Sequence, residues 1–244
     1  MQEPAPLLVL DLDGTLLDTV DHGSCSAGPP DFTSASSADG VTLMDTYLRP
    51  GLAGFLGRVQ QYGYQLAVWT AAPRAYADAM IDGIDRVAAP GFRAVLGGRV
   101  LTEDHVTCSF ERGRVLRTKD LQRFSELTGV PLHRCLVVDD TPHTYALNVR
   151  NALPVEAYMA GYTDDDMLDE LAGFLCSLNL TPGAVLDLSA WKLAPFCGAG
   201  PLTVDAVREQ TQRARRASMT SGPNGGPPIP AWVGRGSVNE PDSP

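Results

Sequence analysis

The chain has 244 residues, a formal net charge of −10, 44% hydrophobic residues and 20% charged residues, a composition that suits one α/β domain and an extension. An acidic balance of this size argues against a general nucleic-acid binder, which needs a basic face. No apolar stretch approaches the ~18 residues of a membrane-spanning helix.

Cys25, Cys108, Cys135, Cys176 and Cys197 are widely spaced, odd in number and without a CxxC pair. They suggest neither a disulfide framework nor a zinc site, and they fit an intracellular, reducing compartment, cytoplasmic or nuclear. No basic stretch precedes the first apolar run, which Asp11 and Asp13 interrupt, so a signal peptide is not expected.

In chain order, Leu7-Leu-Val-Leu-Asp-Leu12 reads as a buried parallel strand. Residues 19–40, rich in Ser, Gly, Pro, Ala and Asp, are expected to form a mobile loop. A short strand over Val41–Leu48 leads into Arg49-Pro50-Gly51. Leu52, Phe55, Leu56 and Val59 then recur at helical spacing until Gly63. Gln65–Thr70 reads as a second buried strand. Pro73 opens a helix with a buried face of Tyr76, Met80, Ile81 and Ile84.

Residues 90–117 predict a small strand-rich insertion, and a helix follows from Lys119 to Thr128. Cys135–Val138 is a third buried strand, Pro142 opens another helix, and Leu153–Ala157 reads as a fourth strand. Thr163 and Asp166 are cap candidates for a helix with apolar positions Met167, Leu168, Leu171, Phe174 and Leu175. Beyond residue 178 the pattern weakens. Trp191, Leu193 and Phe196 are the residues of 179–216 able to dock back on the domain, and the Gly/Pro/Ser-rich stretch 217–244 is expected to be disordered.

Strands alternating with helices predict an α/β fold: a parallel sheet covered on both faces. Such folds bind ligands beyond the carboxyl ends of their strands. Here three strands end in polar residues: Asp11, Thr70 and the pair Asp139-Asp140.

Asp11-Leu-Asp13-Gly-Thr15 places two carboxylates at a strand end, where Gly14 permits a turn. A hard divalent cation such as magnesium accepts paired carboxylates together with phosphate. One acid can then attack phosphorus while the other protonates the leaving oxygen and later activates water. A turn whose aspartates cap backbone donors is the other reading. Thr70, followed by Ala71 and Ala72, offers a hydroxyl and exposed amides to phosphate oxygens, or a plain helix cap. Lys119 and Lys192 are the lysines of a chain that otherwise uses arginine. Lys119 sits at a helix start, where the helix dipole disfavours a cation. Facing a phosphate or an aspartate would account for it, and so would simple exposure. Asp139-Asp140-Thr-Pro142 places two adjacent acids where a metal or a lysine would meet them.

In order, these motifs resemble the four signatures of the haloacid-dehalogenase (HAD) superfamily. The closer resemblance is to its phosphatases acting on the RNA polymerase II C-terminal domain and the small phosphatases like them. The strings that carry it are Tyr47-Leu-Arg-Pro-Gly51 through Phe55-Leu56, Val68-Trp-Thr-Ala-Ala72, Tyr76-Ala-Asp78, Lys119-Asp-Leu121 and Leu136-Val-Val-Asp-Asp-Thr-Pro142, over residues 7–178. The resemblance implies a phosphatase domain over 1–178, with a small insertion instead of a large cap. Asp11 would be nucleophile and metal ligand, and Asp13 acid/base and metal ligand through its backbone carbonyl. Thr70 and Lys119 would hold the phosphoryl group, Asp140 would ligate Mg2+, and Asp139 would support the site through water or Lys119. It implies a Mg2+-dependent phosphomonoesterase acting on a phosphorylated protein, a Ser/Thr phosphatase, or on a small phosphate ester. The alternatives are a catalytically silent binding protein on the same fold and a small-molecule phosphatase or phosphomutase. No nucleic-acid or membrane partner is expected. In two places the chain departs from the branch: Thr102, before Glu103, stands where small members carry a phosphoserine-reading arginine, with Arg99 nearby but out of register. Asp21–Gly40 is hydrophilic where the branch builds an apolar groove.

Overall fold

The computed structural model describes residues 3–193, except 27, 37–39 and 112–113. Expectations placed on 194–244, including Phe196, Cys197 and the 217–244 tail, lie outside the described residues. The strands are β1 (Leu7–Leu10), β2 (Leu17–Asp21), β3 (Phe32–Ala35), β4 (Leu43–Leu48), β5 (Gln65–Trp69), β6 (Val100–Leu101), β7 (Thr107–Glu111), β8 (Arg114–Thr118), β9 (Cys135–Asp139) and β10 (Ala152–Pro154). The α-helices are α1 (Leu52–Tyr62), α2 (Arg74–Val87), α3 (Phe92–Leu96), α4 (Leu121–Thr128) and α5 (Met167–Leu175). Among the described residues, no helix is long and apolar enough to cross a membrane.

The central sheet is parallel, in the order β10-β9-β1-β5-β6. β1 is buried on both faces, which is why an unbroken Leu-Leu-Val-Leu run suits it. Its Leu8 and Leu10 join Leu66, Val68, Leu136 and Val138 under α1, α2, α3 and α5. Leu7 and Val9 join Ala67, Trp69 and Val137 under α4. Register fixes the functional edge: Leu10 lies opposite Val68 on one side and Val138 on the other. Asp11 and Asp139 therefore follow at one level at the carboxyl end, and Thr70 follows Trp69 one residue further along β5.

Several expectations are corrected. Residues 19–40 are not simply a loop. They contribute most of β2 and all of β3, which flank β4 in a three-stranded antiparallel sheet, β2-β4-β3. This sheet docks on α2 through Phe32. A Cβ at Gly83 would come within 2.2 Å of the Phe32 ring, so the helix omits a side chain where the sheet lands. In 90–117 only β7 and β8 form a separate hairpin, while α3 and β6 belong to the main body. α4 starts at Leu121, capped by the Asp120 carboxylate accepting from Gln122 N, so Lys119 precedes the helix.

Pro142 opens no α-helix. The chain turns there because Thr141 N donates to Asp139 Oδ1 at 2.8 Å, and the Thr144 carbonyl accepts from Lys119 N at 2.6 Å. A short 3-10 segment, Ala146–Asn151, follows. The last strand is Ala152–Pro154 instead of 153–157. At α5, Asp166 makes no side-chain cap; Asp165 Oδ1 accepts from Met167 N instead, at 3.1 Å.

Residues 179–193 pack onto the body. Leu186, Leu188 and Trp191 are buried in the larger core, and Arg134, itself buried, donates to the Leu180 and Thr181 carbonyls. Trp191 tilts against Phe174 at 5.3 Å and donates from Nε1 to the Pro154 carbonyl at 2.8 Å. Trp191→Phe keeps a ring but leaves that carbonyl without its donor. A thermal melt should show a loss of about 1–3 kcal/mol. An unchanged melting temperature would mean the extension is not part of the cooperative fold.

Candidate active site

The carboxyl ends of β1 and β9, with Lys119 just after β8, bring Asp11, Asp139, Asp140 and Lys119 together, while Thr70 follows the end of β5. Asp11 N donates to the Val138 carbonyl at 3.0 Å, tying the end of β1 to β9. Leu12 then closes a tight turn in which Thr15, Leu16 and Leu17 donate back to its carbonyl. Gly14 sits in that turn at φ +73, and a Cβ there would lie 2.9 Å from Asp140 Oδ2. Both observations explain glycine at this position: the backbone is left-handed, and an aspartate fills the space.

Lys119 is the hub of the site. It is 1% exposed, and its Nζ donates to Asp11 Oδ1 at 2.7 Å and to Asp139 Oδ2 at 2.6 Å. Burial on its own would lower its affinity for a proton. Asp11 and Asp139 outweigh that and leave its pKa raised, so it stays charged. Asp139 is fully buried, with one oxygen held by Lys119 and the other by Thr141 N. Asp11 is pushed well above the usual carboxylate range by burial, partly opposed by Lys119 and reinforced by Asp139 and Asp140. Thr15 Oγ1 reaches Asp11 Oδ2 at 3.4 Å, and Thr141 Oγ1 donates to Asp140 Oδ1 at 3.1 Å. Ligand atoms of Asp11, Asp139 and Asp140 all lie within 4.8 Å of one another. These are hard oxygen donors carrying three formal negative charges against one lysine, a set that suits a small divalent cation.

Asp13 stands apart from that cluster. Its Oδ1 receives the hydroxyl of Tyr76. Its pKa is pushed up to about 6, chiefly by burial, against the Tyr76 hydrogen bond and with Asp18 adding to the rise. Thr70, at the end of β5, is buried and accepts from Ala72 N at 3.1 Å. The hydroxyl's own proton is then the donor it can offer a ligand.

Two residues here were not singled out from sequence. In sequence Tyr76 figures as part of a buried helix face and of the Tyr76-Ala-Asp78 string, with no role of its own. Arg49 figures as part of a strand exit and of the Tyr47-Leu-Arg-Pro-Gly51 string, again with no role of its own. Its guanidinium is buried, pairs with both Asp165 oxygens at 2.9 and 2.8 Å, and donates to the Thr15 carbonyl at 3.1 Å. It therefore clamps the Asp13–Thr15 turn to the segment before α5. An arginine two residues before a helix-opening glycine was the available signal. Arg99 is committed elsewhere, donating to the Leu66 and Val95 carbonyls. Thr102 is buried, with its N–H on His105 Nδ1. Neither offers the site an arginine.

The model of the family described as NLI interacting factor-like phosphatase matches residues 6–185. The human CTD small phosphatase-like protein is 32% identical over 169 residues, covering 68% of this chain and 54% of that protein. Nuclear envelope morphology protein 1 of Schizosaccharomyces pombe is 28% identical over 191 residues, covering 78% of this chain and 37% of that protein. A solved structure of fission yeast RNA polymerase II CTD phosphatase Fcp1 is similar at 18% identity with a TM-score of 0.45, over 70% of this chain and 50% of that one. The chain thus spans between 30% and 57% of the length of these and other curated relatives that it matches. The matched span begins ahead of β1 and ends beyond α5, so it contains Asp11, Asp13, Thr70, Lys119, Asp139 and Asp140, and the chain belongs to the NLI interacting factor-like phosphatase family, within the HAD superfamily.

Proposed function

We propose that this chain is a magnesium-dependent phosphomonoesterase that works through an aspartyl-phosphate on Asp11. The observation that supports it best is the Lys119 ammonium held between Asp11 and Asp139, beside Asp140 and with Asp13 set aside. A lysine buried between two acids is costly unless the site has a use for the arrangement. Asp11 and Asp140 would hold magnesium directly, with the backbone carbonyl of Asp13. Asp139, with both oxygens occupied, would hold Lys119. When bound, magnesium would neutralise charge where a phosphate dianion meets the acids.

The chain's own groups then divide the work. Lys119 and the Thr70 hydroxyl hold phosphoryl oxygens. An Asp11 carboxylate oxygen attacks phosphorus as the bond to the ester oxygen breaks. Asp13, protonated, gives its proton to that oxygen, and the alcohol leaves. Asp13, now a carboxylate, takes a proton from water as the water oxygen attacks the phosphorus. The bond to Asp11 breaks, inorganic phosphate departs, and both acids return to their first state. A pKa near 6 suits a group that must both give and take a proton close to neutrality.

The substrate in this reading is a phosphorylated serine or threonine of a protein, or a small phosphate ester. The names of relatives such as the human CTD small phosphatase-like protein support the former. The first test is hydrolysis of p-nitrophenyl phosphate with magnesium, with EDTA and with calcium. Turnover should require magnesium and be weak with calcium, whose looser coordination misplaces the nucleophile. Full activity in EDTA would overturn the proposal.

A further inference from the structure

We infer that Tyr76 is a positioning residue that sets the rotation of the Asp13 carboxylate and so selects the oxygen that exchanges a proton with the substrate. The inference rests on the phosphomonoesterase reading and adds a residue to it. Three observations carry it. Tyr76 lies in the first turn of α2, and its hydroxyl reaches Asp13 Oδ1. The same hydroxyl meets Thr19 Oγ1 at 3.0 Å, from β2. Thr19 in turn lies 3.4 Å from Thr46 Oγ1 of β4.

Hydrogen-bond inventory gives the direction of this chain. An ionised carboxylate only accepts, and a phenol has one proton. Tyr76 therefore donates to Asp13, and Thr19 donates to the phenol oxygen. Burial, and after it the Asp13 charge, raises the proton affinity of Tyr76 and keeps it a donor. The backbone of Asp13 is already fixed by the turn after it, where Gly14 N bonds the Leu17 carbonyl at 2.8 Å. What the turn leaves free is rotation of the carboxyl group about its last bond, a broad and soft torsion. Tyr76 removes that freedom. An oxygen that already receives a donor is the poorer place for a proton, so Oδ1 is reserved for Tyr76. Oδ2 becomes the oxygen that delivers the proton to the leaving group. The β2-β4-β3 sheet is thereby given a task in catalysis: it supplies the hydroxyl that holds the phenol in line.

The test is Tyr76→Phe, which keeps the ring and removes the hydroxyl. It would be assayed on p-nitrophenyl, phenyl and p-methoxyphenyl phosphate, which share a shape and differ in leaving-group acidity. A misaimed acid matters most where the departing oxygen most needs a proton. In the burst phase, which reads the first step apart from the later water-activated step that all three esters share, the p-nitrophenyl ester should therefore change little. The first step on the phenyl and p-methoxyphenyl esters should slow by roughly tenfold to a hundredfold, the worth of one hydrogen bond to a charged group. Equal slowing of that first step for all three esters, or none, overturns the inference and leaves Tyr76 a packing residue. If the variant melts below the assay temperature, Thr19→Val withdraws the support and keeps the phenol. It should show the same bias at smaller size, and absence of the bias there is equally decisive. Magnesium-independent turnover in the wild-type protein would count against the phosphatase reading instead, so the two failures are distinct.

Discussion

Asp11→Asn is expected to reduce turnover of any phosphate ester by at least about 10⁴-fold, some 5.5 kcal/mol of barrier at ~1.4 kcal/mol per tenfold. The amide has the shape of the carboxylate but does not attack phosphorus, and no other described group stands in its place between Lys119 and Asp140. The fold should survive. Lys119 keeps Asp139 at 2.6 Å as its partner, and one of the acids crowded around the site has been neutralised. Turnover and a melting curve on the same preparation check both halves. Residual activity within tenfold of wild type would remove Asp11 as the nucleophile.

Lys119→Met should damage both activity and stability, which separates it from Asp11→Asn. The methionine fills the stem but takes away the only cation that touches Asp11 and Asp139 among the described residues. Removing one partner of a buried ion pair costs about 3–5 kcal/mol, because the remaining charge is left uncompensated. For a chain of this size that corresponds to a melting temperature lower by roughly 10 °C. Turnover should fall by at least about 10²-fold through loss of a donor to the phosphoryl oxygens. Magnesium should return part of the lost stability, since the cation would then be the sole positive charge among Asp11, Asp139 and Asp140. Melting curves with and without magnesium decide it. A variant as stable as wild type without the metal would show that Lys119 does not hold these acids together.

The buried strands and the catalytic edge were legible because parallel strands buried on both faces leave long apolar runs, and Leu7–Leu10, Leu66–Trp69 and Cys135–Val138 are such runs. Each stops at a polar residue that has no place in a core. Of the β2-β4-β3 sheet, β4 was legible as the strand over Val41–Leu48, but its partners β2 and β3 were not, because each buries little. Phe32 is the sole large apolar residue of β3, and β2 carries acids at Asp18 and Asp21. Its pairing comes from backbone bonds and from Asp45, which accepts from Gly23 N and Thr33 Oγ1 and meets His22. That is long-range information no local pattern holds. Tyr76 and Arg49 were hidden for a related reason. One is an aromatic on an amphipathic helix, and the other is an arginine beside a glycine. Their roles lie in partners 63 and 116 residues away. The turn after Asp140 was misread as a helix start because Pro142 suits one. The carbonyl that a helix would have used internally is taken instead by Lys119 N.

The position of β1 has a consequence for biosynthesis. It is the middle strand of the central sheet, yet it precedes both of its neighbours in the chain, β5 from Gln65 and β9 from Cys135. At about 5–20 residues per second, β9 leaves the ribosome roughly 6–25 s after β1. Throughout that interval Leu7–Leu10 is an apolar segment with at least one unpaired edge, the kind of surface that nascent-chain chaperones cover and that otherwise associates with other chains. Asp11, the proposed nucleophile next to it, shares that timing. Asp11 meets Lys119 and Asp139 together only after β9 has joined the sheet, so under the proposed mechanism a growing chain carries this carboxylate in inert form until the fold around it is complete.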